Sequence, residues 1–190
     1  NKLLVERLQQ LGVNAIGLSG LDGRLLEGKR KSTLRIIENG KQKVLRDDYS
    51  GRIEKVNTQL LRTLLAAGYV PVVAPLIISE QREALNVDGD RVAAAIGAAL
   101  NAEVLIILSN VPGLLKDFRD EKTLIPLVGQ GQIEEYLERY AQGRMKKKLL
   151  GTIEALKGGV RKAVIADGRV ERPIYRALSG SGTVITQGGP

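Results

Sequence analysis

The sequence contains neither cysteine nor histidine, and these two absences exclude many kinds of active site. Without cysteine there are no disulfides, no thiolate zinc ligands and no cysteine nucleophile. Without histidine there is no imidazole base, so Ser-His-Asp and Cys-His catalysis are excluded as well. The carboxylates, ammonium and guanidinium groups, hydroxyls and amides that remain suffice for phosphoryl transfer, which relies on positioning and charge neutralisation.

Long apolar runs are also missing. A membrane-spanning helix needs about 20 apolar residues, and the longest candidate, residues 69–79, is interrupted by Pro71 and Pro75. The chain opens with Asn1-Lys2 and a helical pattern rather than a signal peptide. We therefore expect a soluble, cytoplasmic protein that does not enter a membrane.

The formal net charge is +8, and aromatic residues make up only 3% of the chain. A basic balance favours an anionic partner such as nucleic acid, phosphates or an acidic protein, although a solvated basic surface explains it equally well. The few aromatic residues and the absence of a recognisable nucleic-acid-binding module argue against nucleic acid.

Helical patterns alternate with buried strands along the chain, which is typical of an α/β fold. The continuous apolar run at residues 104–108 predicts a central parallel strand. We expect a single domain over residues 1–190, built as a three-layer αβα sandwich with a mostly parallel central sheet. Helices are predicted at residues 3–11, 58–67, 90–100, 133–140, 145–156 and 174–178, and strands at residues 13–18, 69–78, 104–108, 160–166 and 183–186.

One segment departs from this alternation. The Asn39-Gly40 pair lies between two short apolar stretches and predicts a β-hairpin. We expect this hairpin to form an excursion within residues 29–57. Ligands of open α/β sheets bind at the carboxyl ends of the strands, which directs attention to the loops after residues 18, 78 and 108.

Three groups of residues near these loops carry candidate chemistry. The string Asn86-Val87-Asp88-Gly89-Asp90 precedes a helix, where its carboxylates could serve catalysis or simply cap the helix. Residues 108–114 follow the central strand and form either a nucleotide loop or an ordinary turn. The cations of residues 143–148 begin a helix, where they could bind phosphates or form a solvated face.

A fourth element, residues 17–23, has the sequence Gly-Leu-Ser-Gly-Leu-Asp-Gly at a strand end. It could bind a substrate through backbone N–H groups or be a plain loop. The common phosphate-binding motifs are missing: the chain has no Walker A motif, no Gly-x-Gly-x-x-Gly and no protein-kinase catalytic loop.

Taken in order, residues 86–90, the Ala-rich helix, residues 105–114 and Gly143-Arg144-Met145 with Lys148 resemble the amino acid kinase superfamily. The resemblance covers essentially the whole chain and is closest to the N-acetylglutamate kinase branch, with which residues 17–23 agree. It implies an open αβα sandwich that assembles as a homodimer or larger and makes acyl phosphates from ATP with Mg²⁺.

The resemblance also implies roles for individual residues. Asp90 and Lys148 would be catalytic, Asp90 by orienting cations and Lys148 by contacting the phosphoryl group. The substrate would be bound by Ser19, Gly20, Asn86 and Asp88. The nucleotide-binding portion would be residues 86–190, with its contacts at Ser109, Asn110, Val111, Gly113, Leu114, Gly143 and Met145.

Two departures from the family pattern matter. Members of the family begin with a strand that carries a catalytic Lys, followed by Gly-Gly loops and a substrate-binding Arg. None of these is present, and we expect them to precede Asn1. Residues 47–57 also differ from the usual N-acetylglutamate kinase stretch. They resemble the kinases that act on 2-aminoadipate attached to a small, acidic amino-group carrier protein.

The basic balance of the chain suits such an acidic partner, because opposite fields speed encounter. A carboxylate acceptor is already ionised near neutral pH and needs no general base, so the reaction runs without histidine. N-acetylglutamate kinase remains the first alternative, and a nucleotide-binding module without catalysis is an alternative of a different class.

Overall fold

The computed structural model describes residues 1–31, 34–38, 41–45 and 48–186, although the side chains of residues 34–38 and 41–45 and of Gln130 fall outside the description. The chain divides into two compact units, Asn1–Val92 and Ala93–Pro190, called here the first and the second unit. None of the helices in the described part of the chain has the length and apolarity needed to cross a bilayer.

The first unit contains two complete helices and eight strands in its described residues. The helices are α1 (Lys2–Gln10) and α2 (Thr58–Ala66). The strands are β1 (Ala15–Ser19), β2 (Leu26–Arg30), β3 (Leu34–Glu38), β4 (Lys41–Leu45), β5 (Gly51–Val56), β6 (Val70–Ala74), β7 (Leu76–Ser79) and β8 (Ala84–Asn86). A third helix, α3 (Gly89–Leu100), begins at the end of this unit.

Strands β1 and β6 pair in parallel, so that Ser19 and Ala74 end them at the same edge. Helix α1 contacts β1 and helix α2 contacts β6. Helix α2 begins where the Asn57 side chain accepts a hydrogen bond from the Leu60 N–H at 3.2 Å, as expected of an N-cap residue. The apolar stripe of α1 is not buried, since Leu3 is 81% exposed.

The single strand predicted at residues 69–78 is wrong, because the chain forms two strands that belong to different sheets. The break falls at Pro75, which has no N–H to donate to a ladder. After it, β7 joins a second sheet of order β5-β2-β7-β8, in which β2 pairs antiparallel to β5 and parallel to β7. The sequence analysis missed β2 and β5 because charged residues dominate them.

The predicted hairpin is confirmed as far as the structure describes it. Strands β3 and β4 pair antiparallel, with Leu34 opposite Leu45 and Glu38 opposite Lys41. The Asn39-Gly40 turn itself lies outside the described residues.

The second unit holds most of the buried core. The strand predicted to be central at residues 104–108 instead lies at the end of the four-stranded sheet described for this unit, where it pairs with one neighbour. Its apolar run is explained by the apolar packing on both of its faces.

The helices of this unit are α4 (Ile133–Arg139), α5 (Gly143–Lys157) and α6 (Pro173–Leu178), and its strands are β9 (Val104–Ser109), β10 (Leu127–Val128), β11 (Lys162–Asp167) and β12 (Thr183–Thr186). They form one sheet of order β10-β12-β11-β9. Strands β9 and β11 are parallel, but β12 runs antiparallel to β11, so this sheet is mixed.

Helices cover both faces of this sheet. Leu105, Ile107 and Ile165 point to one side, where they pack with buried residues of α3 and α5 such as Ala94 and Leu149. Val164 and Ala166 point to the other side and pack against Ala177 of α6. Because side chains alternate along a strand, two apolar faces result. The α/β class is confirmed, and the second unit shows the expected αβα layering.

Candidate functional site

Helix α3 begins with a capping interaction at Asp88. The Asp88 carboxylate accepts hydrogen bonds from the N–H groups of Asp90 at 3.0 Å and Arg91 at 3.2 Å. Asp88 is therefore the N-cap, and its negative charge also suits the positive end of the helix. Asp90 lies in the first turn of α3 and is half-buried.

Asn86 ends β8 beside the edge at which β1 and β6 finish. It pairs with Leu76, the first residue of β7, and its N–H donates to the Tyr49 carbonyl at 2.7 Å. The Asn86 residue is exposed. Next to Tyr49, Asp48 has a buried carboxylate oxygen, Oδ2, with no hydrogen-bond partner among the described residues.

Ser19 and Gly20 lie at the same edge, at the end of β1. A side chain at Gly20 would collide with the Leu76 carbonyl and with Leu26, so only glycine allows this close approach. The Asp22 carboxylate accepts from both the N–H of Ser19 at 2.6 Å and its hydroxyl at 2.8 Å. These bonds hold the pKa of Asp22 below its ordinary value, the Ser19 N–H contributing most.

The loop after β9 is fixed by a residue that the sequence analysis did not single out. The fully buried Thr183 hydroxyl accepts from the Leu114 N–H at 2.8 Å and donates to the Ile125 carbonyl at 2.7 Å. A Cβ on Gly113 would lie 2.5 Å from the same hydroxyl oxygen. Thr183 therefore holds the backbone at Gly113 and Leu114 in place, whereas Asn110 is exposed and Ser109 and Val111 are half-buried.

Helix α5 begins at Gly143, two residues earlier than predicted. Its first turn has no acidic residue, and the Gln142 side chain provides no cap. Arg144, Lys146 and Lys147 are exposed there, where cations oppose the positive end of the helix dipole. A bound anion would relieve both the unfilled helix end and the crowded cations.

Buried residues of α5 orient this helix start. Leu149 is fully buried in the hydrophobic cluster that also contains Leu114, and Met145 packs against that cluster. The structure thus brings the end of the β9 loop and the start of α5 to one cluster in the second unit. Lys148, which precedes Leu149, is half-buried.

A cavity of about 290 Å³ borders the β9 loop at Pro112. Its wall also includes Asp167 at the end of β11, Arg176 of α6 and Gly182. The Asp167 carboxylate bonds Arg169, which also reaches Glu121 at 2.8 Å. Arg169 lowers the pKa of Asp167, and both carboxylates raise the pKa of Arg169.

The predicted site residues therefore fall into two groups. In the first unit, Gly20 touches the Leu76 backbone with which Asn86 pairs, and Asp88 follows two residues later. In the second unit, Leu114 belongs to the hydrophobic cluster against which Met145 packs. That Asp90 and Lys148 serve one site remains a prediction.

The basic residues of β2 and β5 are paired with acids. Lys29 lies 3.2 Å from Glu54 and 3.9 Å from Glu80, and Arg52 lies 3.2 Å from Glu54. On the same two strands Arg30 pairs with Glu83 at 3.5 Å and Lys55 with Glu27 at 3.7 Å. This surface is consequently of mixed charge rather than purely basic.

Comparison with known proteins identifies a protein family that the sequence matches. The model of the amino acid kinase family matches residues 1–167. A [LysW]-aminoadipate kinase of Deinococcus radiodurans is 58% identical over 186 residues, which cover 98% of this chain and 63% of that protein. One of Thermus thermophilus is 55% identical over 187 residues, 97% of this chain and 69% of that protein. The chain thus spans about two thirds of these relatives.

More distant relatives include an acetylglutamate kinase of Moorella thermoacetica, 36% identical over 192 residues that cover 99% of this chain and 64% of that protein. Among solved structures, an N-acetylglutamate synthase of Neisseria gonorrhoeae has a TM-score of 0.75 at 22% identity, covering 98% of this chain and 44% of that one. A carbamate kinase of Giardia lamblia has a TM-score of 0.66 at 14% identity, covering 98% and 70%. These likenesses confirm the fold class.

Proposed function

Because the chain belongs to the amino acid kinase family, we propose that it is part of an enzyme that transfers the γ-phosphoryl group of ATP to a side-chain carboxylate. A carboxylate oxygen attacks the γ-phosphorus, the bond from that phosphorus to ADP breaks, and an acyl phosphate forms. The acceptor is ionised near neutral pH, so no group has to remove a proton. What the protein must supply is cancellation of the repulsion between two anions.

The acceptor we propose is 2-aminoadipate whose amino group is attached to a small acidic carrier protein. The observation that carries this choice is the 58% identity to a protein named [LysW]-aminoadipate kinase over nearly the whole chain. N-acetylglutamate is the alternative acceptor, and the 36% identity to an acetylglutamate kinase supports it less. A module that binds nucleotide without catalysis is the alternative of another class.

The nucleotide is proposed to bind the second unit. The exposed cations at the start of α5 support this, since a helix N-terminus with clustered cations suits phosphates. So does the backbone at Gly113 and Leu114, which Thr183 holds in place. Lys148 would contact the phosphoryl group as negative charge develops, and Gly143 and Met145 would line the nucleotide. Asp90 would orient cations, while Asn86, Asp88, Ser19 and Gly20 would form the substrate side.

Magnesium is proposed to arrive with ATP. Within the described ranges there is no group of three or more carboxylates that could hold a metal ion by itself. Proteins usually bind Mg²⁺ through one or two carboxylates together with substrate phosphates, so ATP would supply part of its ligands. We also propose that the enzyme is a homodimer or larger.

The test of the acceptor is a direct comparison on the full-length protein. Steady-state kinetics are measured with ATP and either carrier-linked 2-aminoadipate or free N-acetylglutamate, and free 2-aminoadipate serves as the control for the link. We expect a much higher kcat/KM for the carrier-linked compound. Efficient turnover of N-acetylglutamate with none of the linked compound would instead assign the protein to arginine biosynthesis.

A further inference from the structure

Three consecutive residues at the end of β11 hold the chain that follows β9 at two separate points. Asp167 is paired with Ser109 in the ladder between these strands, and the Gly168 N–H donates to the Ser109 carbonyl at 2.7 Å. Arg169 reaches the same stretch of chain further along, where its guanidinium donates to the Glu121 carboxylate at 2.8 Å. The proposed nucleotide-binding loop begins at the first point and lies before the second.

The Arg169 side chain is itself fixed by Asp167. Its Nε and one terminal nitrogen donate to the two carboxylate oxygens at 2.9 and 2.7 Å, and its backbone N–H donates to one of them at 2.8 Å. A bidentate pair of this kind has a defined geometry as well as a charge. The Asp167 side chain is only 15% exposed, so water competes little for these bonds. Asp167 therefore directs the guanidinium toward Glu121.

Glu121 belongs to a short two-stranded arm that follows the loop directly. Leu115 and Leu124 form an antiparallel bridge in this arm, and the Lys116 N–H donates to the Thr123 carbonyl at 3.0 Å. These bonds couple the two sides of the arm to each other. A displacement of Glu121 therefore also displaces the chain that leaves the loop.

The contact with Glu121 is the weaker of the two that Arg169 makes. Both side chains are about half exposed, Arg169 at 50% and Glu121 at 56%, and exposed ion pairs contribute little to stability and are screened by salt. Breaking the pair should therefore leave the fold intact but free the arm. A loop that is mobile before binding must be ordered when its ligand binds, and this cost lowers the affinity for the ligand.

We propose that Arg169 is a positioning residue for the nucleotide: through Asp167 and Glu121 it holds the loop from Ser109 to Leu114 in the conformation that binds ATP, without itself contacting ATP. This inference rests on the proposed function and adds to it a residue that the sequence analysis did not single out. Loss of the ion pair should change the affinity for ATP and leave the acceptor and the chemical step unaffected.

The experiment uses two substitutions that change the net charge in opposite directions. Arg169→Gln removes a positive charge, and Glu121→Gln removes a negative one. General attraction between the protein and ATP would make Glu121→Gln bind ATP more tightly, whereas loss of the ion pair would make both variants bind it more weakly. KM for ATP, kcat and KM for the acceptor that is turned over are measured on the full-length protein, both variants and the double variant. The matched control is Arg161→Gln, which removes an exposed arginine next to the other end of β11.

We expect KM for ATP to rise about three-fold in Glu121→Gln, within the range for an exposed ion pair. It should rise about ten-fold in Arg169→Gln, which also loses the bidentate pair with Asp167. Both kcat and KM for the acceptor should stay within about two-fold of the wild-type values. Adding Glu121→Gln to Arg169→Gln should have no further effect, because both remove the same contact. Tighter ATP binding by Glu121→Gln, additive effects in the double variant, or an equal rise in Arg161→Gln would overturn the proposal.

Failure of the proposed function gives a different result. The Kd for ATP with magnesium is measured by calorimetry on the same proteins without an acceptor. ATP binding that is weakened in both variants, together with no turnover of any acceptor, would support this inference and contradict the proposed phosphoryl transfer. ATP binding that is unchanged in the variants would overturn this inference alone, and a wild-type protein that does not bind ATP would overturn both.

Discussion

The Thr183 hydroxyl oxygen accepts the Leu114 N–H at 2.8 Å, although the two residues lie 69 positions apart in the sequence. The same hydroxyl donates to the Ile125 carbonyl. A single buried side chain at the start of β12 thereby connects the loop that follows β9 to the segment around Ile125. The backbone of the proposed nucleotide-binding loop is thus held by a residue that is distant from it in the sequence.

We expect Thr183→Val to lower the free energy of unfolding by about 1–3 kcal/mol, since it leaves the buried Leu114 N–H without a partner. It should also raise KM for ATP. Thr152→Val is the matched control, because Thr152 is equally buried but its hydroxyl only donates to Leu149 within α5. Denaturant titration and ATP kinetics measure the two effects. If both variants had the same free energy of unfolding and the same KM for ATP, this role of Thr183 would be contradicted.

The sequence could predict the secondary structure that local residues determine. Periodicity predicted each α-helix to within a few residues, and Asn39-Gly40 predicted the hairpin, because both depend on neighbouring residues. The role of Thr183 could not be predicted, since it depends on a contact that only the folded sheet creates. Strands β2 and β5 were missed for a similar reason: their charged residues form cross-strand ion pairs, such as Lys29 with Glu54, that no local pattern indicates.

The same distinction applies to the candidate site. The string at residues 86–90 left capping and catalysis open, and the structure assigns the cap to Asp88 through its bonds to the Asp90 and Arg91 N–H groups. The break at Pro75 was missed because the apolar residues on both sides suggested one continuous strand. The basic balance of the chain suggested an acidic partner, but the glutamates that pair with cations of β2 and β5 were not weighed in the sequence analysis. The paired cations are Lys29, Arg30, Arg52 and Lys55.

Two substitutions of the N-cap residue Asp88 should distinguish the stabilising effect of its hydrogen bonds from that of its charge. Asp88→Ala is expected to cost about 1 kcal/mol of folding stability, whereas Asp88→Asn should cost only a few tenths, because Asn is an equally good N-cap. Thermal unfolding of both variants measures the difference. Equal losses in the two would show that the charge of Asp88, rather than its acceptor oxygen, stabilises α3.

Acid should weaken the fold through Asp167. The Arg169 guanidinium holds the pKa of Asp167 below its ordinary value of 3.8. The ionised form therefore stabilises the fold above that value, and this contribution is lost as the pH falls through the lower folded-state pKa. Below about pH 4 the unfolding free energy of the wild-type protein should fall more steeply than that of Asp167→Asn.

The control for this titration is Glu138→Gln, which removes an exposed carboxylate on α4. A change of slope in Asp167→Asn beyond that in this surface variant is assigned to the pair between Asp167 and Arg169. Denaturant unfolding at a series of acidic pH values supplies the curves. Parallel curves for the wild-type protein and Asp167→Asn would contradict the stabilising pair with Arg169.

Replacing an acidic residue of β5 should speed the association of the enzyme with an acidic carrier protein. Glu54 pairs with both Lys29 and Arg52, so Glu54→Gln releases Arg52 from this ion pair and leaves Lys29 with its longer contact to Glu80 at 3.9 Å. We expect kcat/KM for the carrier-linked substrate to rise a few-fold at low salt and to return to the wild-type value at high salt, where steering is screened. Turnover of a small free acceptor should not change.

Glu135→Gln on α4, which releases Arg139 from an ion pair of 2.6 Å, is the matched control for this charge change. It adds the same net charge on a helix of the second unit. Stopped-flow or steady-state kinetics over a range of salt concentrations distinguish the two variants. A rise of equal size in both would mean that net charge, and not this surface, governs the encounter.

The measurement that tests the central claim most directly is chemical trapping of the acyl phosphate. The full-length protein is incubated with ATP, magnesium, carrier-linked 2-aminoadipate and hydroxylamine, and the acceptor is examined by mass spectrometry for a hydroxamate at its side-chain carboxylate. We expect ATP-dependent hydroxamate formation in step with ADP release. It should be strongly reduced in Lys148→Ala, mainly through kcat, and unchanged in Lys157→Ala at the other end of α5. If the protein bound ATP but released no ADP and formed no hydroxamate, the proposed phosphoryl transfer would be contradicted. The protein would then be a nucleotide-binding module without catalysis.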